Sequence, residues 1–490
     1  MGRPLPLLLI AASLLVVAGC RDKDAGAPMV VVIGDKAPAL ADGDSIPTDA
    51  AAAVLRSATA QGLVRLDANA QIESGLAERW NVSDDGLSYI FRLQSGEWPD
   101  GKPIRARDVA RLLTRQLKAP NAGPVRDAGG AIDEVVAMTD RVIEIRLKAP
   151  RPNLLTLLAQ PEFALIHEGT GSGPFTVESH DEDAMRLVHR APGFDGEPGS
   201  SEEVRLSVLP AAKAIAAFKA SHAALVLGGT VADLPLARNA ALPRGTLQFD
   251  PAAGLFGIMP AKKTAFTDSA DVRVVLDQAI DRQALIAALD VPNLGPRATL
   301  LEAGLNGIAA PVQPDWLAVP AADRRATLKA RLAPSLPKSK DGTLPKVTLW
   351  APEGPGGDMI VARIALDWGA LGLAVERAKS EKGADFRFVD EVAPSDSAAW
   401  FVRRFRCDTA PVCDEEIDRL TEDARTTLLP EARAGLLALA AQKVDGGALF
   451  MPIAAPIRWS LVSRTVPGFT TNRYARHSLL ALTTASGAAR

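Results

Sequence analysis

Gly75-Leu76-Ala77-Glu78-Arg79-Trp80, then Ser83-Asp84-Asp85-Gly86 and Leu87-Ser88-Tyr89-Ile90-Phe91-Arg92-Leu93, then Pro99-Asp100-Gly101 and Ala106-Arg107-Asp108-Val109, form the stretch that decides the fold. Leu87, Tyr89, Phe91 and Leu93 alternate with Ser88 and Arg92, the period of a strand with one buried face, broken only in part by Ile90. Ser83 to Gly86 is a turn signal, because aspartate side chains satisfy nearby backbone N–H groups and glycine turns at little steric cost. Before that turn, the segment ending at Trp80 reads as a helix. After the strand, Pro99-Asp100-Gly101 marks another turn, and Ala106 to Leu117 reads as a helix. Val142 to Leu147 repeats the alternation, with Glu144 and Arg146 on its outer face.

Upstream, residues 1–19 carry one charge, Arg3, then an uncharged run from Leu5 to Val17, then small residues before Cys20, the layout of an export signal. The run is shorter than the roughly 20 residues that span a bilayer. Val17-Ala18-Gly19-Cys20 resembles a bacterial lipobox, which implies acylation of Cys20 and a lipidated tether over 20–29; an ordinary secretory signal with an incidental cysteine is the alternative. The expected location is therefore the periplasmic side of a bacterial membrane, with the body held there by lipid.

The remaining body of about 470 residues, at roughly 150 per domain, is long enough for two or three domains with sizeable cores. Hydrophobic residues make up 47% of the chain, as expected of a globular protein. Removing Arg3 takes the formal charge from −3 to −4, so no basic excess points to nucleic acid. Of three cysteines, lipidation of Cys20 leaves Cys407 and Cys413, six positions apart, which an oxidising compartment would join as a disulfide. A metal site there would need further ligands, and His167, His180, His189, His222 and His477 lack the usual close spacing to cysteines. Neither a metal nor a cofactor is expected.

Further along, Val30 to Ile33, Phe175 to Glu178 and the alternating Val204, Leu206 and Val208 read as strands, and residues 211–220 as a helix. Asp271 is a candidate N-cap for a helix burying Val272, Leu276, Ala279 and Ile280. A βαβ-like cycle runs from Lys346–Trp350 through a helix at 358–370 to a strand near 374–376. Two helices follow between Asp414 and Val444, the second with Ala432, Leu436, Ala440 and Val444 at i, i+4 spacing. The Pro- and Gly-rich stretches at 290–320 and 333–344 read as surface connections.

The opening block closely resembles one family, the peptide/nickel-type periplasmic substrate-binding proteins of ABC importers. Gly171-Ser172-Gly173-Pro174-Phe175, Val272-Arg273 with Ala279-Ile280-Asp281-Arg282, Glu416-Ile417-Asp418-Arg419-Leu420 and Trp459 to Phe469 are similar to later segments of that family in the same order. The resemblance implies an α/β fold of two lobes, a type II periplasmic binding protein with an extra subdomain and mixed sheets flanked by helices. Lobe I would take 30–47, 166–254 and 456–490, the extra subdomain 48–165, and lobe II 255–455. It implies a clamp that captures a peptide or other small polar solute by hinge closure and presents it to an ABC permease with its ATPase subunits, as a monomer and with no catalytic step. Held by lipid, such a clamp stays near its permease.

Peptide-binding relatives carry an aspartate for the ligand's ammonium within a segment like Gly-Asp-Asn-Gly-Asp-Pro. Here the matching segment is Val392-Ala393-Pro394-Ser395-Asp396-Ser397, which puts Ala393 at the amine position and Asp396 at the second, more structural aspartate. A buried ammonium needs an anionic partner. Asp390 and Glu391 are near enough to supply one after a shift in register, though solvated loop carboxylates are the plainer reading. Trp400 is a candidate cleft aromatic or a core tryptophan; Trp98 reads as subdomain packing. The family's asparagine at the strand opening lobe II is missing from Phe256-Gly257-Ile258-Met259-Pro260, and its Gly-Glu-Val-Asp motif reads Ser221-His222-Ala223-Ala224. Aromatics are 5% of the chain, sparse for a peptide clamp. Two other classes compete with import: a two-lobed scaffold lipoprotein without a permease, and a secreted hydrolase, for which the chain has no His-Glu-x-x-His, Gly-x-Ser-x-Gly or phosphate loop.

Overall fold

A computed structural model describes residues 27–39, 47, 49–118, 125, 129–181, 184–190, 201–336, 343–466, 468–480 and 482. Cys20, the export signal and most of the tether lie outside the described residues. Two mixed sheets flanked by helices make the two lobes. The first has seven strands in the order Phe175–His180, Met185–Arg190, Ser201–Leu209, Met29–Ile33, Leu225–Thr230, Arg458–Val462, Leu247–Phe249. Its continuous apolar strand Met29–Ile33 lies between parallel neighbours, where both faces are covered. The second has five strands in the order Ala374–Arg377, Lys346–Trp350, Phe386–Val392, Gly254–Pro260, Met451–Pro452. The chain passes between the sheets at residues 250–253 and returns at 453–457, so the two crossings lie side by side. At the first crossing Gly254 has φ +152°, and a Cβ there would sit 2.1 Å from the Glu391 carbonyl oxygen; only glycine fits.

The opening sequence block folds as a four-stranded antiparallel sheet, Ala77–Val82, Ser88–Leu93, Val142–Leu147, Ile132–Thr139 in spatial order, against the helix Ala106–Leu117. Tyr89, Phe91 and Leu93 are buried and Ile90 is exposed, so the alternation holds through Ile90 as well. Trp98 is buried in this subdomain's core and stacks on His167. The segment ending at Trp80 is a strand rather than a helix: Trp80 pairs with Phe91 across the Ser83–Gly86 turn. Pairing with a strongly alternating neighbour outweighs the weak helical preference of a six-residue piece.

Lobe II departs from the sequence reading in three places. The helix Ala270–Ala279 is capped by Ser269, whose hydroxyl accepts from the Val272 N–H, and Asp271 sits in its first turn, where its charge suits the dipole. The helix Pro430–Gly446 buries Arg433, Leu437, Ala440, Ala441 and Val444, so Ala440 and Val444 are inward as read, but in the first half of the helix Arg433 and Leu437 pack inward while Ala432 is exposed and Leu436 half-buried. Residues 298–305 are not a surface connection, since Ala298, Leu300, Leu301 and Leu305 are buried. Residues 337–342 lie outside the described residues.

That inward segment brings the Leu300 N–H to the Asp445 carboxylate at 2.8 Å. Burial, reinforced by Asp277, pushes Asp445 up from 3.8 to about 7. Because the folded value is raised, its contribution to stability is full below about pH 4 and is lost as pH rises towards 7. Asp445→Asn keeps an acceptor for Leu300 without the titration. It is expected to exceed the wild type in stability at pH 8 by about 1–4 kcal/mol, the gap shrinking by pH 5. Denaturant midpoints at both pH values measure this, and parallel pH profiles for the two proteins would count against it.

Cys407 and Cys413 are joined by a disulfide with Cα atoms 5.1 Å apart, just before the helix Glu415–Thr426. Such a small loop stabilises by about 2 kcal/mol through the unfolded state. Alkylation of the unfolded, unreduced protein should leave both cysteines unlabelled; labelling of either refutes the pairing.

Candidate functional site

Between the two sheets lies a cavity of about 480 Å³. The first sheet gives it Gly228, Thr230 and Arg458; the second gives Asp390, Glu391 and the Val392–Pro394 segment, with Trp400 and Arg404 on the helical turns that follow. The C-terminal segment adds Tyr474 and Arg476, and Glu162 enters from beside the subdomain.

Asp390 and Glu391 are neighbours on the strand Phe386–Val392, so they point to opposite faces and meet different fates. Asp390 is 7% exposed; its carboxylate accepts from Arg458 Nη1 at 2.6 Å and from the Val231 N–H, and its carbonyl accepts from Arg458 Nη2 at 3.0 Å. Burial still pushes its carboxyl up, against the pull of Arg458. Asp390 is thus a tie between the lobes rather than a vacant acceptor. Glu391 is 37% exposed and its Oε2 lies 2.6 Å from Arg404 Nη2, while Oε1 accepts no hydrogen bond from a described residue. Arg404 also lies over the Trp400 ring, 4.9 Å from its centroid. A carboxylate has room for about four hydrogen bonds, so Glu391 can hold a second cation while keeping Arg404.

Neither carboxylate lies in a loop, because the strand runs on through Val392. Ala393 is buried, with its N–H on the Ala253 carbonyl. Asp396 is not in the cavity wall: it pairs with Arg473 at 3.0 Å and accepts from the Tyr474 hydroxyl at 3.3 Å, and burial raises its carboxyl. Tyr474 is in turn pushed up to about 12 by burial and by Asp396. Trp400 is 4% exposed and packs edge-on against Phe401, and it also contributes to the cavity wall.

The sequence reading missed Arg404, Arg458, Arg476 and Glu162. Glu162 is 6% exposed, with Oε1 2.7 Å from Arg476 Nη2 and Oε2 buried without a hydrogen-bond partner among the described residues. The one available signal was the dense Arg403-Arg404-Phe405-Arg406 run; Arg458 and Glu162 reach the cavity only through tertiary contacts. Elsewhere, Asp100, His167 and Glu168 converge as a metal site would. Lys102 lies 2.7 Å from Asp100 and 3.3 Å from Glu168, so both carboxylates of that group already have a cationic partner.

Further ties join the subdomain side to lobe II: Asn153 Nδ2 donates to Ser395 Oγ at 2.8 Å, Gln160 Nε2 to the Pro394 carbonyl at 2.9 Å, and Arg433 Nη1 to the Pro150 carbonyl at 2.8 Å. Among the described residues no helix is long and apolar enough to cross a membrane. The arrangement can enclose and charge-match a small ligand, and its polar groups are spaced as holders.

The family model for bacterial extracellular solute-binding proteins, family 5, middle region, matches residues 71–391. A probable di/tripeptide-binding protein of Pseudomonas aeruginosa is 26% identical over 483 residues, which cover 84% of this chain and 88% of that one. The murein tripeptide-binding protein MppA of Escherichia coli superposes with a TM-score of 0.76 at 17% identity, covering 94% of this chain and 98% of that one. Haemophilus influenzae OppA in complex with the peptide RPPGFSPFR superposes at 0.74 with 15% identity, covering 93% and 98%. These structures share the two-lobed fold. With a family match over most of its length and that fold, the chain belongs to the bacterial extracellular solute-binding proteins of family 5.

Proposed function

We propose that this receptor binds a short zwitterionic peptide in the interlobe cavity, with Glu391 as the partner of its ammonium group. Members of the family are extracytoplasmic receptors of ABC importers rather than enzymes, and this chain is one of them. The observation that carries the ligand reading is Glu391 itself: an accessible carboxylate with an open Oε1, beside Arg404 on the face of Trp400. Arg404 and Arg476 supply positive charge for the ligand's carboxylate, and Trp400 offers a flat apolar surface. A cavity of about 480 Å³ suits two or three residues rather than a nonapeptide, in keeping with the di/tripeptide named for the Pseudomonas relative. Closure would bury the charged ends, which is why both need partners.

The soluble body acts as a monomer tethered by acylated Cys20 on the periplasmic side of the membrane, beside its permease. Native mass spectrometry of the protein purified from its own periplasm tests the ligand assignment. The expected result is a bound compound of di- or tripeptide mass with a free amino group; a bound sugar or an amine-free acid would overturn it. The scaffold reading keeps one specific support: Asp390 and Glu391 are already paired with arginines. It predicts protein that never carries a ligand under any growth condition.

A further inference from the structure

A second cavity, of about 220 Å³, lies where the four-stranded subdomain meets lobe II, and Trp400 is the residue whose sides face both cavities. Arg151, Arg406, Arg425 and Arg433 line it, and among the described residues no carboxylate does. The charges are unevenly matched. Arg425 pairs with half-exposed Glu422 at 2.5 Å, and Arg406 reaches Asp408 only at 3.5 Å and Asp418 at 4.0 Å. Arg433 spends its donors on the carbonyls of Pro150 and Thr427, which satisfy hydrogen bonds but cancel no charge. Arg151 donates no hydrogen bond to a described residue, and its Nε is closed off from solvent, as is that of Arg406. Burial lowers Arg151, and the charges of Arg433 and Arg425 lower it further.

A buried guanidinium without a counter-charge is costly, and several facing one cavity add mutual repulsion. The neutral groups present are those an oxyanion uses. Ser395 Oγ accepts from Asn153 and so has its own proton left to donate, and Ser397 offers a further hydroxyl, whereas that of Thr421 already donates to the Ile417 carbonyl at 2.6 Å. Arginine forks match the oxygens of a phosphate group in pairs.

We propose that this cavity is a second binding site, for a phosphate-type oxyanion, distinct from the interlobe cavity. Arg151 and Asn153 come from the subdomain side and Arg406, Arg425 and Arg433 from lobe II, so a bound anion stabilises their contact and favours the closed clamp. The site does not depend on the peptide reading of the interlobe cavity.

Calorimetric and thermal-shift titrations of the purified protein with inorganic phosphate, at constant ionic strength set by chloride, test the site. The expected result is saturable stabilisation by phosphate, weakened about tenfold or more in Arg151→Gln and in Arg425→Gln. Arg425 is half-exposed, so its variant keeps the test valid if Arg151→Gln folds poorly. No phosphate effect beyond that of chloride, or equal affinity in wild type and both variants, overturns the proposal. So does loss of phosphate binding in Arg404→Gln alone, which would place the anion in the interlobe cavity.

Discussion

Glu391→Gln is expected to lower affinity for the amine-bearing ligand by about a hundredfold, with little change in melting temperature. The side chain is 37% exposed and makes one ion pair, so its removal leaves no buried charge uncovered in the free protein. In the closed, liganded clamp the situation reverses. The ligand's ammonium is then shut from water, and a neutral amide in place of the carboxylate leaves it without a counter-charge, a loss of about 2–5 kcal/mol with the lower figure suited to a partly open site. Titration calorimetry with the compound identified by native mass spectrometry reads the change. Unaltered affinity in Glu391→Gln would remove Glu391 from the ammonium role.

Arg458→Met is expected to have the opposite character, a large loss of stability of about 3–5 kcal/mol. Arg458 is the first residue of a first-sheet strand, and it holds both the carboxylate and the carbonyl of Asp390 in the second sheet. Methionine fills much of the volume but leaves Asp390 charged, buried and supported only by the Val231 N–H. The loss should depend on pH. Asp390 already has a raised folded value, and losing Arg458 raises it further. A group with a raised folded value contributes fully below its unfolded value, here 3.8, and loses that contribution as pH rises through the folded value. Arg458→Met should therefore lag the wild type more at pH 8 than at pH 5. Adding Asp390→Asn to Arg458→Met should recover part of the loss at pH 8, since no charge is then stranded. Equal losses at both pH values, or no recovery in the double variant, would show that Asp390 is not a buried charge held by Arg458.

Individual strands and turns were legible because their signals are local: the alternation of Leu87 to Leu93, the turns at Ser83–Gly86 and Pro99–Gly101, and the continuous strand at Val30; the two-lobed arrangement followed only from the family that these motifs resemble. Local signals also misled where a partner decides the outcome. Ala77–Val82 became a strand because Ser88–Leu93 pairs with it, and the helix Pro430–Gly446 turned its arginine inward because the Pro150 and Thr427 carbonyls receive it. The cavity was half legible. Asp390, Glu391 and Trp400 stand in one stretch and reach it together, but period-2 geometry gives the adjacent carboxylates different roles that their identities alone do not separate. Arg458 lies 68 positions from Asp390, and Glu162 lies 314 from the Arg476 atom it accepts. Such pairs exist only once the chain has folded: Arg458 meets Asp390 across the two sheets, and Arg476 of the C-terminal segment meets Glu162 beside the subdomain.

Titration calorimetry of the wild-type protein with a tripeptide from the co-purifying set, and with the same tripeptide N-acetylated, tests the central claim most directly. Acetylation removes the ammonium and little else. The account predicts saturable one-to-one binding of the free-amine peptide and a loss of about a hundredfold or more on acetylation. Equal affinity for the two forms would contradict it.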